Sequence, residues 1–220
     1  MAVKLDMAKA YDRVEWFYIQ KLLLKMDLHE NFVTWMMKCV TIPTYRFKIN
    51  GDIAGEVKPT RGLRQGDPLS PYLILLCAEG LSRILNQAEV LGDIQSLRLI
   101  RGGPTVNHIF FADDSFIFCN ANAQNAAKIS EILRTFEECL GQRVNFAKSA
   151  IFFSKNTSEL EKDEIIVELG RLQRNNLGSY LGLPAVVGRL KKKLLDFIKD
   201  RVKAKIKDWK NNFLNPAGKK

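Results

Sequence analysis

The spacing of apolar residues along the chain separates helix-like segments from strand-like ones. Apolar residues that recur every three or four positions predict helices over about 15–26, 31–40, 72–90, 123–140 and 158–173. In the first of these helices Phe17, Leu22, Leu23 and Met26 fall on one face. Shorter apolar runs predict a strand that ends at Asp6 and another over 149–153. Strands and helices interleave without the regular alternation of a parallel sheet, which favours an α+β fold.

Two loops have the composition of specific turns. Residues 45–53 alternate between apolar and polar side chains and turn at Asn50-Gly51, which predicts a β-hairpin. The loop over 61–71 is rich in Gly and Pro and leads into the predicted helix 72–90. Ser70 suits the N-cap of that helix and Pro71 its first turn.

The C-terminal segment combines a long apolar stripe with most of the positive charge. The stripe consists of Leu194, Ile198, Val202, Ile206, Trp209 and Phe213, and its spacing predicts one long helix. Residues 189–220 hold twelve Lys and Arg against three Asp, so nine units of the chain's net charge of +10 lie there. This charge indicates a polyanionic partner, nucleic acid before membrane, or else a solvated helix face.

The bulk composition limits the class of protein. A chain of 220 residues suffices for one sizeable core, or for a main domain with a small appendage. No stretch approaches the roughly 20 apolar residues of a membrane helix, and the N-terminus lacks the apolar region of a signal peptide. The four cysteines lie tens of residues apart, which favours buried free thiols in a reducing compartment over a zinc site. They are Cys39, Cys77, Cys119 and Cys139.

Two adjacent carboxylates interrupt an apolar run over residues 108–118. Asp113 and Asp114 stand between two aromatic-rich segments, where a buried and unpaired charge would be expensive. The pair indicates either a structural turn or a site for Mg²⁺, which prefers carboxylate and phosphate oxygens. Because Asp6 also ends an apolar strand, Asp6 and Asp113 would converge on the same ions if the two strands are neighbours. We then expect Asp113 to be a direct ligand and Asp114 a weaker one.

Several segments, in this order, closely resemble the reverse transcriptase of plant non-LTR (LINE-type) retrotransposons. The matching segments are 5–16 as the first palm motif, 61–71 (Arg-Gly-Leu-Arg-Gln-Gly-Asp-Pro-Leu-Ser-Pro) as the second, 111–114 (Phe-Ala-Asp-Asp) as the third, 141–149 as the fourth, 180–184 (Tyr-Leu-Gly-Leu-Pro) as the primer grip and 188–220 as the start of the thumb. The resemblance implies a polymerase palm, in which an antiparallel sheet with a catalytic Asp-Asp hairpin packs on helices, followed by a long basic thumb helix. It implies a palm over 1–187 with a partial fingers insertion at about 43–62, and the start of the thumb over 188–220.

The resemblance also implies two-metal transfer of a nucleotide from a dNTP to a primer 3′-hydroxyl on an RNA template. Asp6, Asp113 and Asp114 would hold two Mg²⁺ ions about 4 Å apart, with Mn²⁺ as an in vitro substitute. Lys148 matches a lysine near the triphosphate, a proton donor to pyrophosphate unless it forms a structural salt bridge. Tyr11 matches an aromatic residue that excludes the 2′-hydroxyl, unless it is a plain core tyrosine.

Further positions match the family's contacts with substrates. Gln65 and Gly66 match the loop that packs on the incoming base pair, and Asp67 fixes that turn. We expect Asp12 to anchor the start of the first helix rather than to touch substrate. The residues predicted to contact the RNA template or the DNA primer are Arg61, Arg64, Tyr180, Gly182, Arg189, Lys191 and Lys192. The alternative for Arg61 and Arg64 is that they are solvated surface residues that contact no nucleic acid.

The match begins at the first palm motif, so we expect a fragment that lacks most of the fingers and thumb of a larger enzyme. One alternative is a catalytically inactive remnant that binds nucleic acid through its basic C-terminal segment. Another is a group II intron maturase, against which the match over 180–220 argues. The family implies action in the nucleus for a functional protein, and an intracellular location otherwise.

Overall fold

The computed structural model describes most of the chain. The described residues are 1–98, 100, 102–111, 114–170, 172–174, 179, 180, 183, 184, 196, 198–200, 202–204 and 206. They belong to two compact units, Met1–Arg174 and Asn175–Lys220. The elements of the first unit, in chain order, are β1 (Ala2–Asp6), α1 (Trp16–Lys25), α2 (Glu30–Thr41), β2 (Tyr45–Ile49), β3 (Asp52–Val57), α3 (Ser70–Val90), β4 (Leu97–Arg98), β5 (Thr105–Val106), β6 (His108–Phe111), β7 (Asp114–Phe118), α4 (Ala123–Leu140), β8 (Ala150–Phe152), α5 (Glu159–Glu168) and β9 (Gln173–Arg174).

A five-stranded sheet in the order β6-β7-β1-β8-β9 organises the first unit. The central strand β1 pairs antiparallel with β7 on one side and with β8 on the other. The pair β8–β9 is parallel, so the prediction of an antiparallel sheet is wrong for this pair. The reason is the connection, because α5 carries the chain across the sheet between β8 and β9 as parallel pairing requires.

One hydrophobic core lies beneath this sheet. Val3 and Leu5 of β1 are fully buried, and Ala2, Lys4 and Asp6, which alternate with them, are only partly covered, as expected of a strand with one face on the core. Four of the buried positions of α3 recur every four residues, which is the spacing of one helical face. These positions are Leu73, Cys77, Leu81 and Leu85. All of them belong to the same buried cluster as the inner face of α4.

The helices occur where the apolar spacing predicts them, with three local differences. In α1 the buried residues are Ile19 and Leu23, whereas Phe17 of the predicted apolar face is 68% exposed. Helix α3 has Leu69 at its N-cap position, so the prediction of Ser70 is wrong by one residue. Helix α5 ends at Glu168 instead of 173, because Gly170 adopts a left-handed conformation with φ of 72°.

The hairpin β2–β3 turns at Asn50-Gly51 as predicted, and both residues have positive φ. Two of the four cysteines, Cys77 and Cys119, are buried free thiols. Cys39 and Cys139 are also free but exposed, so the prediction of burial is wrong for this pair. Within the described part of the chain no helix has the length and apolar character to cross a membrane.

In the second unit two short strands, β10 (Ser179–Tyr180) and β11 (Leu183–Pro184), pair antiparallel. Residues 196, 198–200, 202–204 and 206 are helical, within the range 194–213 for which a long helix is predicted. The other residues of that range lie outside the described residues, and the continuous thumb helix remains a prediction. Ile198, Val202 and Ile206 are at least 37% exposed.

Candidate active site

Two aspartates meet where β1 and β7 end their pairing. Asp6 is the last residue of β1, and the antiparallel register places Asp114 of β7 directly opposite it. Asp114 in turn pairs with Phe111 of β6, so that Ala112 and Asp113 connect the two strands. Asp113 lies outside the described residues. The strand ends that carry the predicted carboxylates are therefore neighbours in one sheet, as the prediction requires.

The segment 144–149 wraps around the backbone of Asp6. The Asp6 N–H donates to Ser149 Oγ at 3.0 Å, and the Asp6 carbonyl accepts from the N–H of Asn145 at 2.8 Å. Lys148 lies in the same turn, where its N–H donates to the Asn145 carbonyl at 3.0 Å. Its side chain is exposed. The predicted proton donor is thus only a few residues from two groups that hold Asp6.

The segment that follows Asp6 is fixed from two sides. On one side, the Gln142 side chain donates to the Ala10 carbonyl at 2.9 Å, and Gln142 itself is only 6% exposed. On the other side, the N–H of Leu63 donates to the Tyr11 carbonyl at 2.8 Å. Tyr11 is partly buried against the core, so its side chain has limited freedom. The first and second predicted motifs, and the start of the fourth, are therefore held together around this segment.

Gly62 shows why this junction needs a glycine. A Cβ on Gly62 would lie 2.7 Å from the carbonyl oxygen of Asp12, and the residue has a φ of +89°. Its carbonyl accepts from the indole N–H of Trp16 at 2.7 Å. Asp12 makes no cap for α1, whose N-cap residue is Glu15 and which has no side-chain cap hydrogen bond. The predicted anchoring role of Asp12 is therefore wrong, because the helix starts further along the chain.

A cleft of about 460 Å³ lies beside the loop over 61–71. Arg61, Arg64 and Gln65 line it, together with Asp12 and Tyr45. Arg61 contacts the Glu15 carboxylate at 3.3 Å, while the Arg64 guanidinium lies 5.9 Å from the centre of the Tyr45 ring. The cleft thus offers two cations and an aromatic face, which are groups that bind nucleic acid. Asp6 and Lys148 are not among its lining residues.

The turn at the end of this loop has the predicted anchor. Asp67 Oδ1 accepts from the N–H of Leu69 at 2.8 Å, which confirms that Asp67 fixes the turn. Gly66 has a φ of +85° and open space at the position of a Cβ, so its backbone is accessible from solvent. Gln65 is exposed.

A polar cluster around the buried Asn107 holds the base of the β6–β7 pair, at the end away from the aspartates. The Asn107 side chain donates to Asn86 Oδ1 at 2.9 Å and to Glu89 Oε2 at 2.6 Å, both on α3. The Asn107 carbonyl accepts from the N–H of Phe118 at 2.7 Å. Burial lowers the pKa of the neighbouring His108. Sequence reasoning missed this cluster, because a single Asn before an apolar strand carries no distinctive signal.

The two buried thiols do not belong to the candidate chemistry. Burial raises the pKa of Cys77 and of Cys119 to about 12, so both stay protonated near neutral pH. Thiolates are the form in which cysteine binds metal or attacks a substrate. These residues therefore act as small apolar side chains in the core.

The donor set at the strand ends fits a hard divalent cation. The two residues paired there, Asp6 and Asp114, are both aspartates. Carboxylate is the ligand type that Mg²⁺ prefers, and substrate phosphates and water complete such sites. Among the residues whose placement is described, which exclude Asp113, no three His, Cys, Asp or Glu cluster closely enough to hold a metal ion. The third carboxylate of the predicted set thus falls on the connection between β6 and β7.

Residues 1–185 match the family model described as reverse transcriptase (RNA-dependent DNA polymerase). The match covers most of the chain, and the chain belongs to this family. Reverse transcriptases of the family generally use divalent metal ions. The palm fold of such enzymes, with helices and sheets, is accordingly the fold of this chain.

The curated relatives include retrotransposon proteins. The chain is 28% identical over 189 residues to the Retrovirus-related Pol polyprotein from type-2 retrotransposable element R2DM of Drosophila melanogaster, which covers 81% of this chain and 17% of that protein. It is 28% identical over 137 residues to the corresponding polyprotein from type-1 retrotransposable element R2 of Nasonia vitripennis, covering 61% of this chain and 12% of that protein. An uncharacterized mitochondrial protein of Arabidopsis thaliana is 51% identical over 69 residues, which is 31% of this chain and 57% of that protein.

These similarities confirm the predicted type, a reverse transcriptase domain of the non-LTR retrotransposon kind. The chain spans less than two thirds of the length of each of these relatives. Among solved structures, telomerase from Candida albicans in complex with a fragment of telomeric RNA matches 91% of this chain and 34% of its own, with a TM-score of 0.59 and 13% identity. Apo telomerase from Candida tropicalis matches 72% of this chain and 31% of its own, with a TM-score of 0.53 and 16% identity. At these identities the structures support the fold alone.

Proposed function

We propose that this chain carries the nucleotidyl-transfer site of an RNA-directed DNA polymerase. The observation that carries the proposal is the register that sets Asp6 opposite Asp114 at the ends of two central strands. In this proposal Asp6, Asp113 and Asp114 hold the divalent ions. When bound, such ions activate the primer 3′-hydroxyl and stabilise the departing pyrophosphate.

Around this centre the other predicted residues have distinct roles. Lys148 is exposed and donates a proton to pyrophosphate as it leaves. The Tyr11 ring excludes a 2′-hydroxyl, since its partly buried position keeps it from moving aside. Gln65 and Gly66 lie against the incoming base pair, where the open space at Gly66 admits a close approach.

The nucleic acid lies along two basic regions. Arg61 and Arg64 contact the RNA template through the cleft beside the loop, and the lysines beyond 188 follow the backbone of the template–primer duplex. Tyr180 belongs to the antiparallel pair β10–β11, which we assign to the primer grip. Gly182, Arg189, Lys191 and Lys192 lie outside the described residues. We assign the palm to 1–187 and the start of the thumb to 188–220.

The positive charge of the C-terminal segment also favours a second candidate function. Nine net charges over residues 189–220 would bind nucleic acid by themselves, without any catalysis. In that case the chain is a catalytically inactive remnant that retains the catalytic residues of its family and binds nucleic acid.

Primer extension separates the two candidates. The purified 220-residue chain and its Asp113→Asn variant are incubated with poly(rA)/oligo(dT), dTTP and Mg²⁺, and binding of the same duplex is measured at several salt concentrations. Extension by the wild type alone supports the polymerase. Extension by neither protein, with salt-sensitive binding by both, supports the remnant.

A further inference from the structure

On the β8 side of β1, where the strand pairing has ended, the backbone of Asp6 is held by a side chain. β1 pairs with β8 only as far as Lys4 opposite Ala150, so Asp6 lies beyond the last pair on that side. At this point the Asp6 N–H turns to Ser149 Oγ, at 3.0 Å. The hydroxyl of Ser149 thus replaces the partner that Asp6 lacks on the side of β8.

This hydrogen bond has no easy substitute. Ser149 is 1% exposed, so water cannot readily take the place of its hydroxyl. An N–H left without an acceptor in such surroundings carries its full desolvation penalty. Removal of the hydroxyl would therefore favour a different position for the end of β1.

The same turn contains the predicted proton donor. The N–H groups of Lys148 and Ser149 both donate to the Asn145 carbonyl, at 3.0 and 2.9 Å, and the Asn145 N–H donates back to the Asp6 carbonyl. Both backbone groups of Asp6 are thus bound to one turn of five residues. Asp6 and Lys148 share a single small unit of structure although they are far apart in sequence.

From this geometry we propose that Ser149 is a positioning residue, which fixes Asp6 for divalent metal binding in register with Lys148. The proposal rests on the proposed polymerase function for its catalytic consequence. Its structural part, that the hydroxyl of Ser149 orders the end of β1, stands independently of that function. A role in packing alone is the competing explanation.

Four proteins distinguish positioning from packing: the wild type, Ser149→Ala, Ser149→Cys and Ser96→Ala. Cysteine has the same shape as serine and is only slightly larger, but its sulfur is a weak acceptor. Ser96 is the matched control, because its Oγ is buried and has no hydrogen-bond partner within the described part of the chain. Melting temperatures for all four show whether each protein is folded.

The first measurement is amide hydrogen exchange at Asp6, which does not depend on activity. We expect both Ser149 variants to exchange about fivefold faster than the wild type, the effect of about one hydrogen bond, and Ser96→Ala to match the wild type. Unchanged exchange in both Ser149 variants would overturn the proposal. A change in Ser149→Ala with wild-type behaviour in Ser149→Cys would assign Ser149 to packing.

The second measurement is the Mg²⁺ dependence of primer extension. We expect the Mg²⁺ concentration for half-maximal rate to rise about fivefold or more in both Ser149 variants and to stay constant in Ser96→Ala. A wild type that extends primers, together with Ser149 variants of unchanged Mg²⁺ dependence, would refute the positioning role. A wild type without extension would contradict the proposed function instead, and the hydrogen exchange at Asp6 would still decide the role of Ser149.

Discussion

Asp6 and Asp114 lie directly opposite each other in the antiparallel pairing of β1 with β7. This register brings two of the proposed metal ligands to the same end of the sheet. Asp6 therefore provides the most direct test of the proposed site.

Replacement of Asp6 by Asn should abolish primer extension without unfolding the protein. The amide keeps the size of the side chain but lacks the charge that a divalent ion needs. We expect a fall in rate of more than about 100-fold, since even residues that merely support a metal ligand change activity about 10–100-fold. Asp52→Asn, at the turn-proximal end of β3, is the control and should retain wild-type activity. Equal rates for Asp6→Asn and the wild type would rule out the metal site.

Replacement of Tyr11 by Ala should weaken discrimination against ribonucleotides. We expect the preference for dTTP over UTP to fall about 10-fold or more, because the ring no longer collides with the 2′-hydroxyl. The ratio of the two rates is the measurement, since it does not depend on the amount of folded protein. Tyr18→Ala removes a similarly placed tyrosine that packs on the same core, and should leave the ratio unchanged. An unchanged ratio in Tyr11→Ala would identify Tyr11 as a core residue only.

Removal of the arginines at the cleft should reduce the salt dependence of duplex binding. If Arg61 and Arg64 each contact one phosphate, each replacement by Ala lowers the slope of log K against log salt by about one. The measurement is binding at four salt concentrations. Arg83→Ala, on the exposed side of α3, is the control. A slope that stays the same in the Arg61 and Arg64 variants would indicate that both are surface residues without a role in binding.

Asn107→Leu should destabilise the fold. The substitution removes two hydrogen bonds, one of them to the Glu89 carboxylate, and should cost about 1–3 kcal/mol, measured by urea denaturation. Asn120→Leu, at an exposed position, should have a smaller effect. A stability equal to that of the wild type would show that water replaces the lost donor.

The ion pairs of Glu159 predict a loss of stability in acid. Hydrogen bonds from Arg174 and from Lys162 lower the pKa of Glu159 to about 2, from an ordinary value of 4.5. The ionised group therefore contributes stability above pH 4.5, and this contribution disappears as the pH falls from 4.5 to 2. Glu159→Gln should be less stable than the wild type at pH 6, with a difference that shrinks towards pH 2. The same series with Glu138→Gln, another exposed glutamate, controls for net charge, and a constant difference across the range would contradict the assignment.

Local pattern was sufficient to predict most of the elements and their approximate ends. Helical spacing predicts α2, α3 and α4 within two residues, because a face that recurs every three or four positions must be buried. It does not determine which part of an apolar stripe is covered. On α1, for example, Phe17 is exposed and Ile19 is buried. Which side chains are covered depends on how α1 packs against its neighbouring elements, and the spacing of apolar residues contains no information on that packing.

The sequence also predicts that the aspartates lie together, on the condition that their strands are neighbours in one sheet, and the pairing of β1 with β7 meets this condition. The residues that fix the backbone around Asp6 could not be predicted from the sequence. Ser149 and Asp6 are separated by 143 positions, and Gln142 and Ala10 by 132. A serine or glutamine in a loop resembles any other polar residue until the fold brings its partner to it. Short-range spacing predicts which residues carry chemistry, whereas long-range contacts determine which residues support them.

The position of β1 at the centre of the sheet has a consequence for synthesis of the chain. Both of its partners come much later, at 114–118 and at 150–152. A ribosome adds about 5–20 residues per second, so β1 stays without either partner for a time on the order of ten seconds. During that interval Val3 and Leu5, fully buried in the finished protein, remain exposed to water. An exposed apolar segment of this kind favours aggregation, so the interval before residues 114–118 emerge is the one in which β1 needs protection from other chains.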